Sequence, residues 1–187
     1  MSVDEPAGES WSTQVLERLS AIQSSIVSQR AVREVFDQIL GSLTELLGDD
    51  VAVLRVGRPG GAERAAVVAS VGASQEQTVA RPAEGVLGLG DRAVLDRSVV
   101  VEDDPANLLG AEWAAEGLQA AMAAPVFSRG EVVGSLGIAS RRPGRAYGPR
   151  DRQALASFAE HVSLALNHAR ALEEVAHEAL HDALTGM

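Results

Sequence analysis

The sequence predicts an α+β fold, an antiparallel sheet flanked by N-terminal helices and a long C-terminal coiled-coil helix. Three observations carry this. Helical periodicity is confined to the two ends of the chain, and strand-like runs fill the middle. The last apolar stripe alternates steps of three and four without a miss, the pattern of a coiled-coil seam. Helices segregated to the ends argue against a doubly wound sheet, in which they would alternate with strands.

Residues 1–10, acidic through Asp4, Glu5 and Glu9, read as a disordered leader. Over 11–30 a helix for signalling and dimerisation is expected, because Val15, Leu19, Ile22 and Ile26 recur at helical spacing among polar residues. A second helix over 31–47 carries Val32, Val35, Phe36, Ile39, Leu43, Leu46 and Leu47, and Gly48 suits its C-terminal cap. Val51 to Val56 reads as a strand ended by the glycine- and proline-rich turn 57–61. Arg64 to Val71 is a second strand and 76–81 a third. Residues 85–116 mix glycine, two short helical pieces and the strand-like 98–101. Gln119 to Phe127 and Glu131 to Ser140 form a hairpin around Ser128-Arg129-Gly130. After the loop 141–148, Pro149 and Asp151 open the last helix, since proline fits a first turn and a carboxylate favours a helix N-terminus.

The final stripe runs Leu155, Phe158, Val162, Ala165, Ala169, Leu172, Ala176, Ala179. Apolar lines on both terminal helices predict a parallel homodimer through Val15, Leu19, Ile22, Ile26, Leu155, Phe158, Val162, Ala165, Ala169 and Leu172.

Composition excludes several functions. The net charge of −10 disfavours nucleic acid as a partner, because phosphate binding depends on a basic surplus. With no cysteine there is no disulfide, thiolate metal site, cysteine nucleophile or thioether-linked chromophore. All 16 basic residues are arginine, which excludes a Walker A loop and lysine Schiff-base chemistry. The lysine-free, alanine- and arginine-rich usage points to a GC-rich genome. No signal peptide opens the chain and no apolar run is long enough to span a bilayer, so a cytoplasmic protein without a membrane partner is expected.

Residues 122–172 resemble the second half of a GAF sensory domain. The run Met122-Ala-Ala-Pro-Val-Phe-Ser-Arg-Gly-Glu-Val-Val-Gly-Ser-Leu-Gly-Ile-Ala139 is similar to that family's hairpin, and Tyr147 through Arg170 to its closing helix. Upstream, Glu84-Gly85-Val-Leu-Gly88 and Val99-Val-Val-Glu-Asp103 stand where the family often has a glycine loop and a strand ending in aspartate. The resemblance covers 31–172 and implies a GAF-like sheet. Leu180-His-Asp-Ala-Leu-Thr-Gly-Met187 resembles the opening of a GGDEF diguanylate cyclase domain, with Asp182, Leu184, Thr185 and Gly186 matching and methionine in place of leucine. Residues 173–187 are accordingly read as a helical linker and the start of that domain. No Gly-Gly-Asp-Glu-Phe run is present. The two resemblances together imply the non-catalytic front of a bacterial, actinobacterial-like diguanylate cyclase, with an EAL domain beyond it left open.

The expected function is a small-molecule sensor and dimerisation domain controlling a C-terminal cyclase in cyclic di-GMP signalling. Its partners would be a second copy, the downstream GGDEF domain and an unidentified effector, with no cofactor. The segment 84–122 supplies the candidate ligand-binding residues Arg92, Asp103, Asn107, Trp113, Gln119 and Met122, a few polar groups among apolar ones. Against this, Trp113 and Met122 could be core and the polar residues helix caps. The family's cyclic-nucleotide signature needs a lysine and its bilin-binding and methionine-sulfoxide-reductase members a cysteine, all absent here.

Two alternatives remain from the sequence. One is a ligand-free structural dimerisation module. The other is a metalloenzyme using His177-Glu-Ala-Leu-His181, which meets the H-E-x-x-H spacing but has no third ligand in view, so chance is the better account. His161 and His168 read as solvated residues beside the seam, and the Arg141, Arg142, Arg145, Arg150, Arg152 cluster as ordinary loop charge.

Overall fold

The structure, a computed structural model, describes residues 6–28, 30–57, 65–73, 88–104 and 117–185, with side chains at 6–9, 173 and 175–185 outside the description. Among these residues the elements run α1 (Pro6–Val27), α2 (Val32–Leu47), β1 (Val51–Val56), β2 (Ala66–Val71), α3 (Leu89–Asp96), β3 (Val100–Glu102), β4 (Ala120–Ser128), β5 (Glu131–Ser140) and α4 (Pro149–Thr185). The strands form one antiparallel sheet in the order β2-β1-β5-β4-β3. The expected α+β architecture is the observed one.

Local chemistry sets the breaks. α2 ends at Gly48, which takes a left-handed conformation (φ 64°) and donates its N–H to the Thr44 carbonyl. The β4–β5 hairpin turns on Arg129-Gly130, both at positive φ (52° and 82°), as a two-residue turn matched to strand twist requires. Pro125 sits inside β4 because β3 pairs only with 121–123. Beyond Ala123 that edge of β4 has no strand partner among the described residues, so the missing N–H breaks no ladder there.

The sheet has two unlike faces. On one, α1, α2 and α4 form a helical layer over Ala52, Leu54, Met122, Ala124, Val126, Leu136 and Ile138. Phe36, Ile39, Leu40 and Leu43 of α2 and Leu155, Phe158 and Val162 of α4 fill this core. Each such side chain contributes about 1.5–3 kcal/mol by leaving water. On the other face lie Val51, Val53, Ala121, Ala123 and Ala139, with α3 as the only described helix against them.

Two expectations change, and a third falls outside the described residues. α1 begins at Pro6, so residues 6–10 are helical rather than part of a leader. The strand expected at 76–81 and much of 85–116 lie outside the described residues. The second change concerns the seam. Val15, Ile22, Ile26, Leu155, Phe158, Val162 and Ala165 are all buried within a single chain. Leu19 packs partly against the same core. They hold α1 and α4 to α2 and the sheet, which demands the same spacing as a coiled coil. Ala169 is half-buried and Leu172 exposed.

Two glycines on β5 give opposite expectations. A Cβ at Gly134 would run into the Arg55 carbonyl and stand 3.0 Å from Val56 Cα, so Gly134→Ala should cost roughly 1–3 kcal/mol. At Gly137 the nearest atoms would be 3.9 Å away, and Gly137→Ala should shift stability by less than about 0.5 kcal/mol. Urea unfolding of the two variants checks the contrast, and equal costs would refute it.

Candidate functional site

The face opposite the helical layer is built from very small side chains. Register places Ala121 opposite Ala139, Ala123 opposite Gly137, and Val53 opposite Gly137 on its other side. This floor of alanine, glycine and valine is covered, with Val51, Val53, Ala121, Ala123 and Ala139 all buried. α3 lies over one end of it, with Ala93 seated on Val100 and Ala123. A Cβ at Gly90 would come within 2.5 Å of Ser135 Oγ, so glycine is what lets the helix approach the sheet so closely.

Charged groups rim this face. Alternation along β1 puts Arg55 on the side of Val51 and Val53. Burial pulls the Arg55 guanidinium below its usual pKa, and the Asp91 charge on α3 opposes that shift. Asp91 Oδ2 also accepts the Gly88 N–H (3.1 Å), fixing the start of α3. Arg92 pairs with Glu102 of β3 across 3.5 Å. The arrangement presents both signs of charge at the margin of a small-residue face.

The six candidate ligand residues separate. Arg92 stands at this rim. Gln119 enters β4 in register with Ala121, its N–H on the Ser140 carbonyl (2.7 Å) and its Nε2 on the Gly117 carbonyl (3.2 Å). Met122 is a correction: it is fully buried in the helical layer, because alternation turns it away from Ala121 and Ala123. Asp103 accepts the Tyr147 N–H (3.3 Å) and braces the loop before α4. Asn107 and Trp113 lie outside the described residues. Arg55 was missed, although its place in the alternation of Val51-Ala-Val-Leu-Arg-Val pointed to it.

A second polar cluster ties the chain together. Asp49, its side chain wholly buried, accepts from Arg142 Nη2 (3.0 Å) and Arg145 Nε (3.1 Å). Arg145 also reaches Asp151 (3.1 Å) and lies over the Tyr147 ring, 4.4 Å from its centroid. Burial works to lower the Arg145 pKa, but hydrogen bonds to Asp49 and Asp151 outweigh it and hold the group above its usual value. Burial raises the Tyr147 phenol, helped by the Asp49 charge. Arg142 and Arg145 are therefore structural and do more than the solvated role expected of them. His161 Nδ1 lies 2.9 Å from the Ser157 carbonyl on its own helix.

The His177 and His181 side chains lie outside the described residues. Among the described residues no group of three or more His, Asp or Glu is placed to hold a metal. No described helix is long and apolar enough to cross a membrane.

The family model of the GAF domain matches residues 29–167, most of the chain. The chain belongs to the GAF family. Solved structures agree on the fold. The GAF domain of a phosphoenolpyruvate-protein phosphotransferase from Coxiella burnetii is 17% identical, with a TM-score of 0.69 over 87% of this chain and 98% of that one. The phycoerythrobilin-bound GAF domain of a cyanobacterial phytochrome is 15% identical, with a TM-score of 0.69 over 92% and 100%. Free methionine-R-sulfoxide reductase from Neisseria meningitidis is 16% identical, with a TM-score of 0.68 over 92% and 96%. No curated protein matches the sequence significantly. GAF domains are regulatory sensor modules of signalling proteins, and some of the structural neighbours are enzymes.

Proposed function

We propose that this GAF domain senses a small molecule held on the small-residue face beneath α3. The observation that carries the reading is that floor itself: Ala121, Ala123, Gly137 and Ala139 sit side by side where a packed core would place large residues. Arg55, Asp91, Arg92 and Glu102 would orient the polar end of the ligand.

The finer reading is control of a C-terminal diguanylate cyclase in a parallel dimer. Its supports are the resemblance of Asp182-Ala-Leu-Thr-Gly186 to a GGDEF opening and the exposed apolar residues of the terminal helices. Leu16 and Val27 lie about three turns apart on one line of α1, and Leu164 and Leu172 about two turns apart on α4. These replace the buried stripe as the surface through which two copies would meet. A ligand preferring one position of α3 would shift the population of helix packings. A second reading is favoured by the contact of Ala93 with the floor: an empty GAF module that serves only to dimerise.

Thermal shift against a metabolite library separates them. A true ligand at about 100 times its dissociation constant adds about 2.7 kcal/mol of stability. Gly137→Leu, which fills the floor at a site with room for a Cβ, should abolish that gain. No stabilisation of the wild-type chain by any compound favours the structural module. Sedimentation of the same samples should give twice 19.5 kDa, and a wild-type monomer at micromolar concentration removes the dimer from the proposal.

A further inference from the structure

Residues outside the candidate site join α3 to α4 by a route that does not pass through the core. Arg97 closes α3 with its backbone in the left-handed region (φ 51°). Glycine is the usual occupant there, and any side chain carries a steric cost. The arginine side chain is spread over the tip of the β4–β5 hairpin. Its Nη2 donates to the Gly130 carbonyl (3.1 Å), and its guanidinium lies 5.3 Å from the centre of the Phe127 ring.

The other side of that hairpin is fastened to α4. The Phe127 N–H donates to Ser163 Oγ (3.0 Å), and the Ser128 hydroxyl donates to Asn167 Oδ1 (2.7 Å). Arg170 Nη1 donates to Ser128 Oγ (2.8 Å), and Arg129 pairs with Glu174. Residues 163, 167, 170 and 174 follow helical spacing, so one polar stripe of α4 receives the whole hairpin tip. Among the described residues, Arg97 and Arg129 are the two non-glycine positions with positive φ. Arg129 owes that to its turn. Arg97 owes its own to the helix cap, and its side-chain contacts are what set an arginine apart from glycine there.

We propose that the β4–β5 hairpin is a coupling element that ties the position of α3 to the α4 segment 163–174. The helix over the candidate ligand face and the longest helix of the chain then grip opposite sides of one rigid two-residue turn. Displacement of α3 pulls on Gly130 and Phe127, and through Ser128 and Arg129 loosens or tightens α4. What displaces α3 rests on the sensor reading above; the mechanical link does not.

The test is backbone amide hydrogen exchange on the 187-residue chain without ligand, with α2 as internal reference. Arg97→Ala removes the bridge and keeps the left-handed cap. Arg97→Gly removes the bridge and relieves the backbone, so it cannot act by unfolding α3. Leu95→Ala, at an exposed position on the same helix, serves as control. Both Arg97 variants should speed exchange over 163–174 about threefold relative to α2, the size expected from losing one exposed cation–π contact and its hydrogen bond, while Leu95→Ala leaves it unchanged. If acceleration stays within 89–100 and 126–131, or Leu95→Ala matches the Arg97 variants, the hairpin is not a coupling element. Because no ligand is used, a chain that binds nothing can still pass this test, and one that binds can fail it.

Discussion

Phe158→Ala should lower the unfolding midpoint by roughly 10 °C. The ring is fully buried between α4, α2 and β4, and truncating a core phenylalanine typically costs about 3–5 kcal/mol in lost transfer energy and cavity formation. For a chain of this size each kcal/mol is worth about 2–4 °C. Calorimetry at two protein concentrations gives the measurement a second edge. A side chain in the core of one chain weakens folding by the same amount at both concentrations. A side chain in a dimer seam would produce a loss that grows with concentration toward a plateau, because association stabilises only where it occurs. The structure predicts the first outcome, and a midpoint within about 2 °C of wild type would contradict the packing described.

Asp49→Ala should cost about 3 kcal/mol in chemical denaturation, at the lower end of what removing one partner of a buried ion pair does. The lower end applies because Arg142 is half exposed and can turn to water, whereas Arg145 is only 16% exposed. Arg145 would keep Asp151 but lose its other carboxylate. Asp49→Asn, which preserves shape and one acceptor, should recover part of the loss. A change below about 1 kcal/mol for the alanine variant would mean that these bonds are no better than exposed ones.

How much of this was legible in the sequence depends on the range of the interaction. β1, β4, β5 and the Arg129-Gly130 turn follow from alternation and turn chemistry within a few residues. They lie within a residue of where the pattern puts them. The stripe Leu155, Phe158, Val162, Ala165 was legible as a buried line, but not as to what buries it. A helix laid on a sheet and a helix laid on its twin demand the same three–four spacing. Met122 was misplaced because its neighbours in sequence belong to the other face, and a single methionine carries no period. The floor of the candidate site is nearly silent, since alanine and glycine mark no pattern and matter through the side chains they lack. Asp49 finds Arg145 across 96 residues of chain, a distance at which local spacing holds no information.

The shortness of β3 has a consequence for the molecule in company. A strand edge with free N–H and C=O groups is a template onto which another chain can add. Among the described residues no strand pairs with the β3-side edge of β4 beyond Ala123; the Phe127 N–H there is taken by Ser163 Oγ, and Pro125 stands there. Its ring removes a donor and obstructs close approach of an incoming strand. Along the edge that the described strands leave, a missing donor and an occupied one give an incoming strand little to pair with.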